Sequence, residues 1–170
     1  MKQFEDQILF YGRKDILSNM FPAKIKFDGK TLPTSEHLYV LMKAFTSNDK
    51  KAIDRIFAEP NPFEVKKIGF GLQGLDVIYW DHIKADIMIS VLMAKFQKPG
   101  FLELLIGTMG NELVEASPNR IWGCGVHINE VAGKLTNFSG QNLCGECMMV
   151  ARELLSLGHR IDVNTIPELI

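Results

Sequence analysis

The sequence predicts an α+β fold, a mostly helical single domain spanning residues 1–170 with a small mixed sheet. Three observations lead there. The longest periodic stretch, Asp76 to Phe96, sets Trp80, Ile83, Ile87, Val91 and Ala94 at helical spacing. Short strand-like runs lie scattered between helical segments, among them a hairpin turning at Asp28-Gly29. The 170 residues hold no repeat, linker or low-complexity run, so one core of ordinary size is expected.

In chain order, Ile8 to Tyr11 is a short apolar strand, and the turn-rich stretch from Gly12 to Asn19 is a loop. Lys24 to Phe27 and Lys30 to Leu32 pair as a hairpin. Pro33 makes a corner, and Thr34 or Ser35 caps a helix reaching about Ser47. Asn48-Asp49 starts a second helix, Lys50 to Ala58, which Pro60-Asn61-Pro62 breaks. A short helix from Phe63 to Ile68 follows, then a loop at Gly69, Gly71 and Gly74. The long helix ends at Pro99-Gly100, and Phe101 to Ile106 adds a turn or two. Glu112 to Ala116 reads as a buried strand, Pro118 to Gly125 as a turn holding Trp122, and Val126 to Ile128 as a further strand. A polar loop from Glu130 to Gln141 leads into the last helix, Asn142 to Leu157, which Gly158 stops. The core is expected over about 8–157; the tail, about 158–170, is weakly patterned, with little order expected past Val163.

Composition narrows the function. A formal net charge of −1 argues against tight non-specific binding to duplex nucleic acid, which needs clustered Lys and Arg. A local basic patch stays open. No apolar run approaches the roughly 18 residues of a membrane span, and the polar start, Met1 to Gln7, is no secretion signal. Three cysteines, an odd number, read as reduced thiols in a cytoplasmic setting.

The stretch Lys30 to Lys43 carries the first chemistry. Glu36 falls in the first turn of its helix, where a carboxylate is favoured for structural reasons alone. Glu36, Tyr39 and Lys43 lie at i, i+3 and i+7 and share one face. That trio suits the lining of a pocket better than a buried stripe.

The ordered motifs Phe10-Tyr11, Leu17-Ser18-Asn19, Phe27-Asp28-Gly29-Lys30-Thr31-x-Pro33-Thr34-Ser35-Glu36-His37 and Lys43 resemble the opening of the NADAR (YbiA-like) family. The likeness continues through Pro62 and Lys66, Trp80-Asp81 with Lys84, Ala94-Lys95-Phe96, Leu113 to Pro118, Trp122-Gly123-x-Gly125, and Asn142-Leu143-x-Gly145 with Arg152. It covers about residues 8 to 157. The resemblance implies an N-glycosidase that uses no cofactor and cleaves between C1 of a phosphorylated ribose and an amine nitrogen. Its substrate is a small-molecule ribosylamine phosphate of the early riboflavin pathway, or ADP-ribosylated guanine in nucleic acid. It also implies a catalytic role for Glu36 and site roles for Trp80 and Trp122. The chain departs from the family where an acid is replaced by Cys124, a Gln by Val40, and a Leu-Gly-Arg by Ile68-Gly69-Phe70. These changes point to a different base or amine.

Loss of an amine from a ribosylamine builds positive charge on C1 and the ring oxygen, and the departing nitrogen needs a proton. Glu36 can act at C1, its helix terminus favouring the charged form and nearby tryptophans the neutral one. Lys43 can capture a ring-opened imine as a Schiff base, or be a solvated lysine; Lys95 is the other lysine of interest. Trp80 suits stacking on a base or the core, and Trp122, in a glycine-flanked turn, suits a pocket. Asn142, at the end of Phe138 to Asn142, is expected either to contact phosphate or to cap the helix. Ser18 and Asn19 are candidate ribose or phosphate contacts, and Asp81 and Glu115 are possible second carboxylates. Cys124-x-x-His127 and Cys144-x-x-Cys147 have zinc-like local spacing, but they overlap motifs for which the resemblance implies no metal, so none is expected. The alternative function is a module that binds an ADP-ribose- or NAD-related nucleotide without turnover, motivated by Cys124.

Overall fold

Two small sheets and six α-helices make up the computed structural model, which describes residues 1–170. Strand β2 (Gln7–Phe10) is buried along its whole length at the centre of a three-stranded mixed sheet. It pairs antiparallel with β1 (Lys2–Phe4) and parallel with β5 (Glu112–Glu115). The stretch read as merely polar therefore supplies an edge strand. Strands β3 (Pro22–Phe27) and β4 (Lys30–Thr34) form the expected hairpin. Its two turn residues, Asp28 and Gly29, have φ of 47° and 70°, the left-handed pair that a two-residue turn needs.

Helix α1 (Ser35–Thr46) is central, packing against α2 (Lys50–Ala58), α3 (Pro62–Phe70) and α4 (Val77–Phe96). Thr34 is its N-cap, and the Thr34 hydroxyl also meets His37 Nδ1 at 2.8 Å. His37 Nε2 lies 2.9 Å from the Glu59 carbonyl, so this buried imidazole ties α1 to the end of α2. The third helix runs two residues beyond its expected end because Gly69 continues it. A Cβ at Gly69 would stand 2.9 Å from Val40 Cγ1, so glycine allows α3 to approach α1 closely. Helix α5 (Phe101–Ile106) follows α4, and α6 (Leu143–Ser156) packs on α4 and β5.

Two expectations fail. Val126 to Ile128 is not a strand; Ile128–Glu130 forms a 3-10 turn capped by His127. The tail past Val163 is ordered, because Val163–Leu169 forms a 3-10 helix against α4 and Ile166 is fully buried in the main core. Gln97 exchanges two 3.0 Å hydrogen bonds with the Ile161 backbone, and Asn164 accepts from the Asp28 N–H at 2.9 Å. One buried isoleucine in a short polar run gives too weak a period to read. Ile166→Ala should cost about 2–5 kcal/mol by denaturant melting, the usual range for such a core truncation; a cost near zero would mean the tail is dispensable.

Candidate active site

The cavity that α1 helps to enclose has a volume of about 180 Å³. Ser18, Asn19, Glu36, Lys43, Trp80 and Trp122 all line it, although they come from four separate stretches of chain. The loop before β3 is fixed to the start of α1 by a buried polar seam. The Asn19 carbonyl accepts the Glu36 N–H at 3.1 Å, and Asn19 Oδ1 accepts the Ser35 hydroxyl at 2.8 Å. Behind it, Lys95 is fully buried and donates to the Ser18 carbonyl at 2.7 Å. Lys95 does not line the cavity; it holds the loop that does.

Trp122 is presented by a turn whose shape is set by Asn119. The Asn119 side chain accepts from the Ile121 and Trp122 N–H groups, each at 2.9 Å. Gly123 is required behind that turn, since a Cβ there would lie 2.2 Å from the Ser117 hydroxyl and 2.9 Å from the Glu115 carbonyl. The rings of Trp80 and Trp122 flank Tyr39 at centroid distances of 5.4 and 5.3 Å, which gives one wall of three aromatic rings. The Tyr39 hydroxyl is the buried side-chain polar atom without a hydrogen-bond partner. Leaving it so costs about 1–3 kcal/mol.

Asn142 stands at the N-cap position of α6, the second of its two expected places, and not where a phosphate in the cavity would meet it. It is absent from the cavity wall and fully buried, and its side chain bridges the Glu115 N–H and the Leu113 carbonyl, each at 2.9 Å. The N–H groups of Gln141 to Cys144 are taken by carbonyls of Arg120 to Trp122 and of Gly123. None of these four N–H groups is free for phosphate. Asp81 pairs with Lys84 at the surface, outside the lining, whereas Glu115 is inside it. Cys124 packs in a smaller core cluster away from the cavity, so this departure does not alter the wall; Val40 and Phe70 do line it. No three His, Cys, Asp or Glu side chains converge as metal ligands. Lys66, Asn119, Ile121 and Cys144 also line the cavity and were not named as site residues from the sequence. Their positions depend on turn and helix packing, which leaves no local periodic signal.

Burial decides the electrostatics. It pushes the Glu36 carboxyl up to about 7, with Lys66 holding it back and Glu115 adding to the rise. Burial raises Glu115 as well, against Lys66 and a thiol hydrogen bond from Cys144. The helix-terminus preference for a charged Glu36 is therefore overridden. Lys43 donates to the Gly69 carbonyl at 2.8 Å and stands 5.9 Å from the Trp80 ring; burial lowers its pKa, and Asp81 opposes this.

The NADAR domain family matches this chain over residues 9–156. N-glycosidase YbiA of Escherichia coli (strain K12) is 32% identical over 159 residues, covering 90% of this chain and 91% of the relative. N-glycosidase Npun_R5314 of Nostoc punctiforme is 32% identical over 146 residues, covering 82% and 87%. The NMR structure of E. coli YbiA superposes with a TM-score of 0.72 at 31% identity, covering 92% of this chain and 89% of that one. These relatives set the class of the protein, an N-glycosidase. The chain belongs to the NADAR family.

Burial also pushes the Lys95 ammonium down from 10.5 to about 7. Between those values the unfolded chain holds more protons at this position than the folded one, so stability rises with pH across that window and is lost as pH falls through 7. The thermal midpoint of the wild type should therefore climb between pH 7 and 10 relative to that of Lys95→Met. Parallel curves would mean that the buried ammonium is fully compensated.

Proposed function

We propose that this chain hydrolyses the C–N bond between C1 of a phosphorylated ribose, in ribose 5-phosphate or ADP-ribose form, and an amine or base of the kind found in early riboflavin-pathway intermediates or ADP-ribosylated guanine. The observation that carries the reading is Glu36, a buried carboxyl with a pKa near 7 beside the aromatic wall of the cavity. At neutral pH such a group is partly protonated. In its acid form it gives a proton to the departing nitrogen as the C1–N bond breaks. In its carboxylate form it then takes a proton from the water whose oxygen bonds to C1. One water is consumed and Glu36 ends as it began.

Trp80 and Trp122 frame the flat base, and Ser18 and Asn19 face the ribose. Apolar Val40 and Phe70 on the wall favour a leaving group that presents no charge to them. The reduced, buried thiols suit a cytoplasmic setting. No helix is long and apolar enough to cross a membrane.

A second route is favoured by Lys43, whose lowered pKa increases its free-amine fraction. If the ribosylamine opens to an imine at C1, Lys43 displaces the amine as a Schiff base, which water then releases. Borohydride added during turnover separates the routes, since only this one leaves a reduced sugar adduct on Lys43.

The deciding assay offers two substrates: a ribosylaminopyrimidine phosphate, and single-stranded DNA bearing ADP-ribosylated guanine. Wild type should release ribose phosphate or ADP-ribose from at least one, and Glu36→Gln should lose about 10²–10⁴-fold in kcat. The folded-state pKa of Glu36 is raised, so its contribution to stability is present below the usual carboxylate range and lost as pH rises through 7. Glu36→Gln should therefore also melt higher than wild type at pH 8. A folded Glu36→Gln enzyme with full turnover would sink the mechanism.

A further inference from the structure

We propose that Glu115 is a second catalytic residue, the carboxylate that faces C1 while Glu36 serves the departing nitrogen. The inference rests on the N-glycosidase reading and divides its chemistry between two groups. Glu115 ends β5, and Glu36 begins α1; the two elements are far apart in sequence but open on the same cavity.

The chain fixes Glu115 with care. Its N–H donates to Asn142 Oδ1 at 2.9 Å, and its carbonyl accepts from the Cys124 and Ser117 N–H groups, each at 2.9 Å. The absence of a side chain at Gly123 leaves room for that carbonyl. Glu115 is thus locked at the backbone while its carboxyl reaches the cavity. Neither it nor Glu36 takes part in any of the salt bridges of the protein. Buried carboxyls without an ion pair are costly and are retained where they serve chemistry. Lys66, from α3, lines the same cavity and its charge acts on both.

The titratable groups that face the pair are Lys66 on α3, Tyr39 and Lys43 on α1, and Cys144 on α6. Burial raises the Tyr39 hydroxyl and the Cys144 thiol, so both stay neutral near pH 7 and the balance lies between the two carboxyls and the lysines. When Glu115 carries its charge, that charge helps Glu36 to keep a proton. In the reaction, Glu36 passes its proton to nitrogen as the C1–N bond breaks. Glu115 stabilises the positive C1 and takes one proton from the attacking water as its oxygen bonds to C1. The proton on Glu115 and the vacancy on Glu36 then re-equilibrate through solvent.

The test is a pH–rate profile of wild type, Glu115→Gln and Lys66→Met on whichever of the two substrates above the wild type turns over. Glu115→Gln should lose at least about 100-fold in kcat, with KM changed by less than about threefold. Its residual activity should fall off at lower pH than wild type, because removing the negative charge lets Glu36 lose its proton earlier. Lys66→Met removes the positive charge and should shift that alkaline limb upward. If Glu115→Gln does not fold, the Lys66→Met profile together with a carboxyl NMR titration of wild type decides: two interacting carboxyl titrations support the pair, and a single independent one overturns it. A folded Glu115→Gln enzyme with kcat within about threefold of wild type and an unmoved limb overturns the role of Glu115 alone. A wild type that turns over neither substrate overturns the N-glycosidase reading and this inference with it.

Discussion

The polar seam between the loop at Ser18-Asn19 and the first turn of α1 is the constraint on which the cavity depends. It is made of one backbone carbonyl shared by the Glu36 N–H and the Ser35 hydroxyl, one side-chain amide, and a lysine behind them. Helix starts usually give their free N–H groups to a cap or to water. Here one of them is given to a loop that is distant in sequence. The direction in which Glu36 enters the cavity is thereby fixed on both sides, by Thr34 at the cap and Asn19 across the seam. A carboxyl held this way is withdrawn from water without a partner charge in contact, and its raised pKa follows from that withdrawal.

The opposite wall is built by the same means from different parts. The turn carrying Trp122 is clamped by Asn119, and the first N–H groups of α6 close onto its carbonyls. The helix start that resembled an anion site is thus a hinge pin for the aromatic wall. Lys66 and Gly69 come from α3, which reaches the cavity because Gly69 packs against Val40. Four helices, one strand end and two loops therefore meet around one volume, and each is fixed by backbone hydrogen bonds more than by side-chain ion pairs.

Much of the fold was legible because local signals agreed with tertiary ones. The turn at Asp28-Gly29, the caps at Thr34 and Asp49, and the stripe from Trp80 to Ala94 all mark elements that the structure contains. The edge strand Lys2–Phe4 and the 3-10 tail were not legible, since each is held by long-range contacts that leave almost no period in so few residues. At the site, Glu36 and Lys43 were visible through their shared helix face. Glu115 was one of two candidate second carboxylates, and only the packing of β5 separates it from Asp81; Lys66 reaches the cavity only through the packing of α3. Asn142 misled because small and polar residues before a helix look alike whether the helix start is open or already occupied.

Three groups in and behind the cavity work against stability: the Glu36 carboxyl, the Lys95 ammonium and the unpartnered Tyr39 hydroxyl. A core selected for stability alone would replace all three with apolar side chains of similar size. They are instead gathered around one small volume, and the main cluster of 33 buried residues offsets their cost. Their shared feature is incompleteness. Glu36 lacks a counterion in contact, Tyr39 lacks an acceptor, and Lys95 has one hydrogen bond where an ammonium can donate three. For Glu36 and Lys95 this incompleteness brings proton-transfer groups near neutrality, whereas it carries the Tyr39 hydroxyl further from it. The strain on stability and the capacity for acid–base chemistry thus have the same physical origin, the exclusion of water from charged groups left without partners.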